Sequence, residues 1–310
     1  MRTRTHTHTV RSGDVALSVA SAGDPSRPAV VLIHGYPDTK AVWEPVVERL
    51  APEFHVVAYD VRGAGASDAP RRRAAYDLEC LADDFEAVCG ELSPGRAVHL
   101  VGHDWGGIQG WEFATAARFD GRIASFTTIA GPALGHALSA TRTAVRRGQP
   151  LGALDRIRRS WYIAPLCLPG GPTLAWRVLL AGGRWRRFLA VAEGLPVDAA
   201  YPAPTIRADG LHGANLYRQN IPGRLIRRNR LAPPHAPVQL VVPSGDRFIS
   251  ESYYDAAGQI CTGLRRRHVP GSHWAPRAEP ALIADCIAQF ARENARWGKD
   301  SAPSRRNART

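Results

Sequence analysis

The segment Leu100-Val101-Gly102-His103-Asp104-Trp105-Gly106-Gly107 constrains this chain more than any other. An apolar run, residues 97–101, leads into it and a helical pattern starts near Gly107, which predicts a strand, a sharp turn and a helix. Gly102 and Gly106 flank Asp104 at equal spacing, and a turn this tight has no room for a side chain at either place. Such a turn lifts its central side chain into a cleft, beside the positive end of the following helix. A hydroxyl there suits acyl transfer, whereas a carboxylate attacking an alkyl carbon forms an ester that water can cleave. With Asp104 at the centre, the predicted chemistry is displacement at carbon.

The elements around this turn alternate. Residues 5–10 and 15–21 change character with period two around Ser12-Gly13-Asp14, which predicts a hairpin. His6 and His8 share a strand face there without a third ligand nearby, so they read as exposed strand residues and not as a metal site. Residues 29–33 form an unbroken apolar strand that runs into His34-Gly35-Tyr36-Pro37-Asp38, a turn whose backbone N–H groups can face a cleft. Taken with the Asp104 turn, the Tyr36 and Trp105 N–H groups are the candidate oxyanion hole, supported by His34, Gly35 and Pro37. A helix over 40–50, a strand over 55–59, a helix over 76–92, the Asp104 strand, a helix over 107–118 and a strand over 123–129 follow. The glycine-rich loop at 60–68 lacks the third glycine of a dinucleotide site and the Lys-Ser/Thr of a phosphate loop, so it reads as a brace.

Strands alternating with helices predict an α/β protein with a mostly parallel sheet covered on both faces, whose ligand site lies at the carboxyl ends of the strands. The alternation stops over residues 133–231, rich in Arg, Trp, Gly and Pro and without a strand pattern, which predicts an inserted helical cap. Within it, 174–192 reads as cap core and pocket lining, with a membrane-skimming helix as the weaker alternative. Strands at 238–242 and 264–269, a helical stretch near 251–259 and a final amphipathic helix over 280–297 complete the sheet. The predicted organisation is a core of 1–132 and 232–298 around the cap at 133–231, with a basic disordered tail at 299–310.

Composition narrows the function classes. At 310 residues and 45% hydrophobic, the chain can bury one large core. No apolar run has the roughly 18 residues of a membrane span, and residues 1–10 lack the apolar segment of a signal peptide, so a cytoplasmic protein is expected. The net charge of +12 invites a nucleic-acid reading, but only Lys40 and Lys299 are lysines and the arginines spread along the whole chain without a binding motif. Nucleic acid is therefore set aside, while weak attraction to an anionic membrane surface stays admissible. Five widely spaced cysteines without a C-x-x-C pair predict reduced thiols and neither a disulfide nor a zinc site.

Three residues at predicted strand ends occur in the order Asp104, Asp246, His273. A histidine in this role needs an acid that fixes its tautomer and stabilises its cation, and Asp246 follows the penultimate strand, where it can do so. With HGYPD at 34–38, RGAGASDAP at 62–70 and GHDWGG at 102–107, the chain resembles the epoxide hydrolase branch of the α/β-hydrolase family over residues 15–297. The resemblance is closest to the hydrolase half of two-domain proteins that join an epoxide hydrolase to a short-chain dehydrogenase, and no dehydrogenase half is read in these 310 residues.

The resemblance implies two cap tyrosines that hold the epoxide oxygen. One precedes a Pro-Gly, matching Tyr162 before Pro169-Gly170, and the other lies in a stretch matched by Asn215-Leu216-Tyr217-Arg218-Gln219-Asn220. Leu216 takes the place of a usual Trp, and Ser272 that of a Gly before the histidine. The implied reaction opens a small, lipophilic epoxide with water to a vicinal diol through an ester on Asp104, with no cofactor and no metal, in detoxification or lipid metabolism. A haloalkane dehalogenase is the rival enzyme, with Trp161, Trp176 or Trp185 as a second halide donor in place of Tyr36. The rival outside enzymes is a catalytically idle binder of an apolar ligand. Oligomeric state is not readable from the sequence.

Overall fold

Strands that are apolar on both faces need cover on both faces, and this requirement sets the architecture. The computed structural model describes residues 4–135, 158–198, 201–226, 232–255, 257–261 and 263–295. Its eight strands are β1 (Thr5–Ser12), β2 (Val15–Ala22), β3 (Ala29–Ile33), β4 (His55–Tyr59), β5 (Val98–His103), β6 (Ile123–Ile129), β7 (Val238–Pro243) and β8 (Arg265–Val269). They form one sheet in the order β1-β2-β4-β3-β5-β6-β7-β8. The hairpin β1–β2 is antiparallel, as is β2 against β4, and every other pair is parallel.

The period-two alternation of the strands separates two cores. Val31, Ile33, Val57, Leu100 and Phe126 point to one side, where Phe85 of α2 (Leu78–Leu92) and Trp111 and Phe113 of α3 (Trp105–Thr115) cover them. Val30, Leu32, Val56, Ala58 and Val101 point to the other, against Val46 and Leu50 of α1 (Glu44–Leu50) and the helix Pro280–Glu293. Each such fully buried aliphatic side chain contributes about 1.5–3 kcal/mol. The edge strand β8 is instead blunted by three arginines, of which Arg265 pairs with Glu293 and Arg267 donates to Gln289.

Between β6 and β7 the described residues hold helices and no strand: α4 (Ile163–Cys167), α5 (Gly171–Leu180), α6 (Arg184–Arg187) and α7 (Ile206–Ile226). The stretch 174–192 is broken, not continuous, because Gly182 and Gly183 turn left-handed at φ +60° and +69°. After β7 the expected helical stretch at 251–259 reduces to two single turns, Glu251–Tyr253 and Ala257–Gln259. Two helices follow β8, the single turn α8 (Ala275–Ala278) and the 14-residue α9 (Pro280–Glu293). The tail expected at 299–310 and residues 136–157 of the expected cap lie outside the described residues.

Candidate active site

The strand-turn-helix at Asp104 has the sterics that its glycines predict. A Cβ on Gly102 would lie 2.3 Å from the Gly106 carbonyl, and one on Gly106 would lie 2.1 Å from the Ile33 oxygen. Asp104 itself sits at φ +51°, a strained backbone for a residue with a side chain. It occupies the N-cap position of α3 but makes no capping bond with its side chain. Its carboxylate turns away to the β3 turn, where Tyr36 N–H donates to Oδ1 at 2.8 Å. Gly35 makes this approach possible, since a Cβ there would stand 2.4 Å from the Asp104 Cβ. Trp105 is the first residue of α3, where a backbone N–H has no partner within the helix.

The second Asp104 oxygen faces the histidine. His273 Nε2 lies 3.6 Å from Asp104 Oδ2, and Nδ1 lies 3.0 Å from Asp246 Oδ2. Asp246 is fixed in turn by the Phe248 and Ile249 N–H groups, which donate to its Oδ1 at 2.8 and 2.9 Å. Burial disfavours the His273 cation, but the charges of Asp246 and Asp104 outweigh it and hold the imidazole well above its ordinary pKa. Burial likewise pushes the Asp246 carboxyl up, yet His273 and the two backbone donors bring it below the usual carboxylate range. The resting site therefore favours the charged imidazolium form of His273, held between Asp246 and Asp104.

Both tyrosines expected from the sequence reach this site. The Tyr217 ring meets Trp105 at 4.9 Å, Tyr36 at 5.1 Å and Tyr162 at 6.1 Å, edge to face in each case. Tyr162 packs on Phe248, the residue after the Asp246 turn. Burial, with Asp104 nearby, pushes both phenols above their ordinary range, so each keeps its proton and remains a donor. Of the three tryptophans considered as halide donors, Trp161 is 71% exposed and Trp176 donates its N–H to Tyr36 Oη at 2.7 Å. Trp185 keeps a buried, unpartnered N–H but packs against Trp176, Phe188 and Trp274.

The residues expected to support the turn are joined by Asp38, Tyr201, Trp274 and His103, which were not anticipated. His34 is a strut: its Nδ1 meets the Gly35 carbonyl at 2.8 Å and its Nε2 accepts from Val61 N–H at 2.9 Å, which ties the β3 and β4 turns together. Pro37 follows Tyr36 through a cis peptide bond. Asp38, buried in the same turn, accepts from Tyr201 Oη at 2.9 Å and from Trp274 Nε1 at 2.7 Å, so one carboxyl joins the β3 turn, the helical segment and the histidine loop. His103 Nε2 lies 2.9 Å from the His273 carbonyl. Ser272, where a glycine was expected, donates to the Glu193 carbonyl of the helical segment. The loop after β4 behaves as the brace foreseen for it: Asp60 pairs with Lys40, Arg62 with Asp84, and Gly65 N–H reaches Asp209. Among the described residues, no group of three or more His, Cys, Asp or Glu side chains could hold a metal ion.

A family model described as alpha/beta hydrolase fold matches residues 28–276. Epoxide hydrolase A of Mycobacterium tuberculosis is 37% identical, with 91% of this chain and 95% of that protein covered. A "probable oxidoreductase EphD" of the same species is 36% identical over 89% of this chain but 48% of its own length, so the chain spans about half of that relative. Among solved structures, an epoxide hydrolase from Bacillus megaterium in complex with an inhibitor superimposes with a TM-score of 0.74 at 20% identity, covering 93% of this chain and all of that one (100%). Epoxide Hydrolase A from Mycobacterium thermoresistibile gives 0.74 at 22% identity, over 93% of this chain and 98% of that one. At these identities the structural likeness speaks for the fold.

Proposed function

The chain belongs to the α/β-hydrolase fold family, and from that premise we propose that it is an epoxide hydrolase that opens a lipophilic epoxide to a vicinal diol through an aspartyl ester. The observation that carries this reading is the division of labour at Asp104: one carboxylate oxygen accepts the Tyr36 N–H, the other faces His273, and two protonated tyrosines stand beside them. A strained ring still leaves a poor alkoxide, and two phenol donors meet that need. The kinship with Epoxide hydrolase A, which covers nearly all of both chains, supports the same reaction class.

In this mechanism Asp104 Oδ2 attacks an epoxide carbon, the C–O bond breaks, and Tyr162 and Tyr217 hold the oxygen, one of them giving it the phenol proton, which is made good by the proton that the imidazolium of His273 carries in the resting site. Oδ1, already at the Tyr36 N–H, becomes the ester carbonyl oxygen. His273, neutral once its proton has been passed on and oriented by Asp246, then takes a proton from water, which attacks the ester carbonyl carbon. The Tyr36 and Trp105 N–H groups hold the resulting oxyanion; collapse breaks the ester C–O bond, the departing alkoxide takes the proton of the newly formed Asp104 carboxyl, and the diol leaves with the Asp104 carboxylate and the His273 imidazolium restored. We assign residues 133–231 as the cap that supplies the tyrosines and closes the pocket, on a core of 1–132 and 232–298. Phe248 and Trp274 against the histidine, with Phe188 packed on both, favour an apolar substrate. The relation to the hydrolase half of two-domain proteins is supported by the half-length match to the mycobacterial relative.

The test is incubation of the purified protein with a panel of lipophilic epoxides and haloalkanes, following diol and free halide. Diol formation that disappears in Asp104→Ala is the expected result. His273→Gln should stop at the ester, visible by intact mass as the protein plus one epoxide. Halide release without diol would replace this reading with dehalogenation, and ligand retention with neither product from either class would replace it with the idle binder.

A further inference from the structure

The outer surface of the cap does not look like the exposed side of an ordinary helical layer. The structure's exposed large apolar side chains among the described residues are Trp161, Leu168, Leu174, Val178 and Val191, and all five lie in this one stretch. Trp161, at 71%, and Val191, at 80%, are almost fully in solvent. The same helices already bury a separate apolar set inward: Leu166, Trp176, Trp185 and Leu189. The outward set is therefore in excess of what the fold needs. Helical spacing puts Leu174 and Val178 on one face of α5 with Arg177 beside them, and α4, bracketed by Trp161 and Leu168, packs against that helix.

Charge gives this surface a direction. Residues 158–192 contain six arginines (Arg158, Arg159, Arg177, Arg184, Arg186, Arg187) and no Asp or Glu. An apolar surface mixed with positive charge alone matches one kind of partner, an interface that offers hydrocarbon beneath a layer of negative groups. No helix of the described residues is long and apolar enough to cross a membrane, so the match is with lying on a bilayer and not with spanning it.

We propose that the cap face formed by Trp161, Leu168, Leu174, Val178 and Val191, with its surrounding arginines, docks on an anionic lipid bilayer. The apolar side chains enter the boundary between headgroups and acyl chains, and the guanidinium groups meet lipid phosphates. This inference is independent of the reaction proposed above, because none of these five residues is assigned a role at the Asp104 site.

The experiment uses the full chain and vesicle flotation, with phosphatidylcholine vesicles with and without phosphatidylglycerol. The protein should float with the anionic vesicles and not with pure phosphatidylcholine, and added salt should release it. Arg177→Gln/Arg186→Gln/Arg187→Gln should weaken partitioning by about fivefold per charge removed. Leu174→Ser/Val178→Ser should also weaken it while leaving the circular dichroism spectrum unchanged. Quenching of tryptophan fluorescence by brominated lipid should fall in Trp161→Phe. Absence of flotation with anionic vesicles, or flotation that neither set of substitutions reduces, would overturn the proposal. Concentration-dependent self-association that Leu174→Ser/Val178→Ser abolishes, without lipid binding, would overturn it in favour of a second copy of the chain.

Discussion

Asp38 ought to make this protein lose stability as pH rises towards neutrality. It is 5% exposed, and its carboxyl accepts one hydrogen bond from Tyr201 and one from Trp274. Burial pushes it up to about 7, against the pull of those two donors, while Asp104 nearby adds to the rise. In the unfolded chain an aspartate titrates near 3.9. The folded state thus holds an extra proton between these values, and stability falls with pH wherever the native state binds more protons. The contribution is fully present below about pH 4, declines through the interval and is gone above about pH 7. At about 1.4 kcal/mol per unit, the difference between pH 5 and pH 8 is roughly 3 kcal/mol.

Asp38→Asn removes this titration while keeping the shape. An amide can accept from one of the two donors but presents its own N–H to the other, so about 1–3 kcal/mol is lost from the unpaired group. The pH signature is more telling than that offset. Urea unfolding of both proteins at pH 5 and pH 8 should give a destabilisation by Asp38→Asn that is roughly 3 kcal/mol larger at the lower pH. His273 carries charge in the same range, so the comparison is repeated with His273→Gln in both proteins. Parallel curves for the aspartate and asparagine forms at the two pH values would refute the reasoning, because a titrating buried acid must change their difference.

Other substitutions probe the site directly. Tyr162→Phe and Tyr217→Phe should each lower kcat/KM on an epoxide by about 10²-fold or more, and the double variant by less than the product, in steady-state kinetics. Asp246→Asn should slow ester hydrolysis by about 10⁴-fold while alkylation persists, seen as accumulation of the mass-shifted protein. Gly35→Ala would place a Cβ 2.4 Å from that of Asp104, so the variant should fold with a loss of about 1–3 kcal/mol and have no turnover. Trp176→Phe leaves Tyr36 Oη without its donor and should cost about 1 kcal/mol in thermal or urea unfolding.

The legible parts of this chain were those fixed by local rules. β3, β4 and β6 have the bounds expected from sequence because each is an apolar run ended by turn residues. The turn at Asp104 was readable because two glycines at fixed distance leave few backbones open. The helix over 40–50 starts as a tight turn, Lys40–Trp43, since Pro45 can only open a new helix at Glu44. What sequence could not show are bonds between distant segments: Trp274 meets Asp38 across 236 positions, and Tyr201 meets it across 163. Asp38 was visible as a polar turn residue, and nothing local marks such a residue as buried. Tyr36 was read for its amide alone, although its side chain anchors the helical segment through Trp176 and the Gly210 carbonyl.

The charge arrangement around His273 also has a consequence for the order of the two chemical steps. In the resting site Asp246 and Asp104 both raise the pKa of the imidazole, which disfavours the neutral form that a general base needs. In the proposed mechanism, attack on an epoxide converts Asp104 into a neutral ester and removes one of the two charges that raise the imidazole. Its pKa must then fall, with Asp246 alone opposing the cost of burial. On that mechanism the histidine becomes a usable base only after the nucleophile has reacted, its proton replacing the one a tyrosine gives to the epoxide oxygen. The proposed order of steps then needs no moving part: alkylation of Asp104 would itself be the signal that releases His273 to activate water.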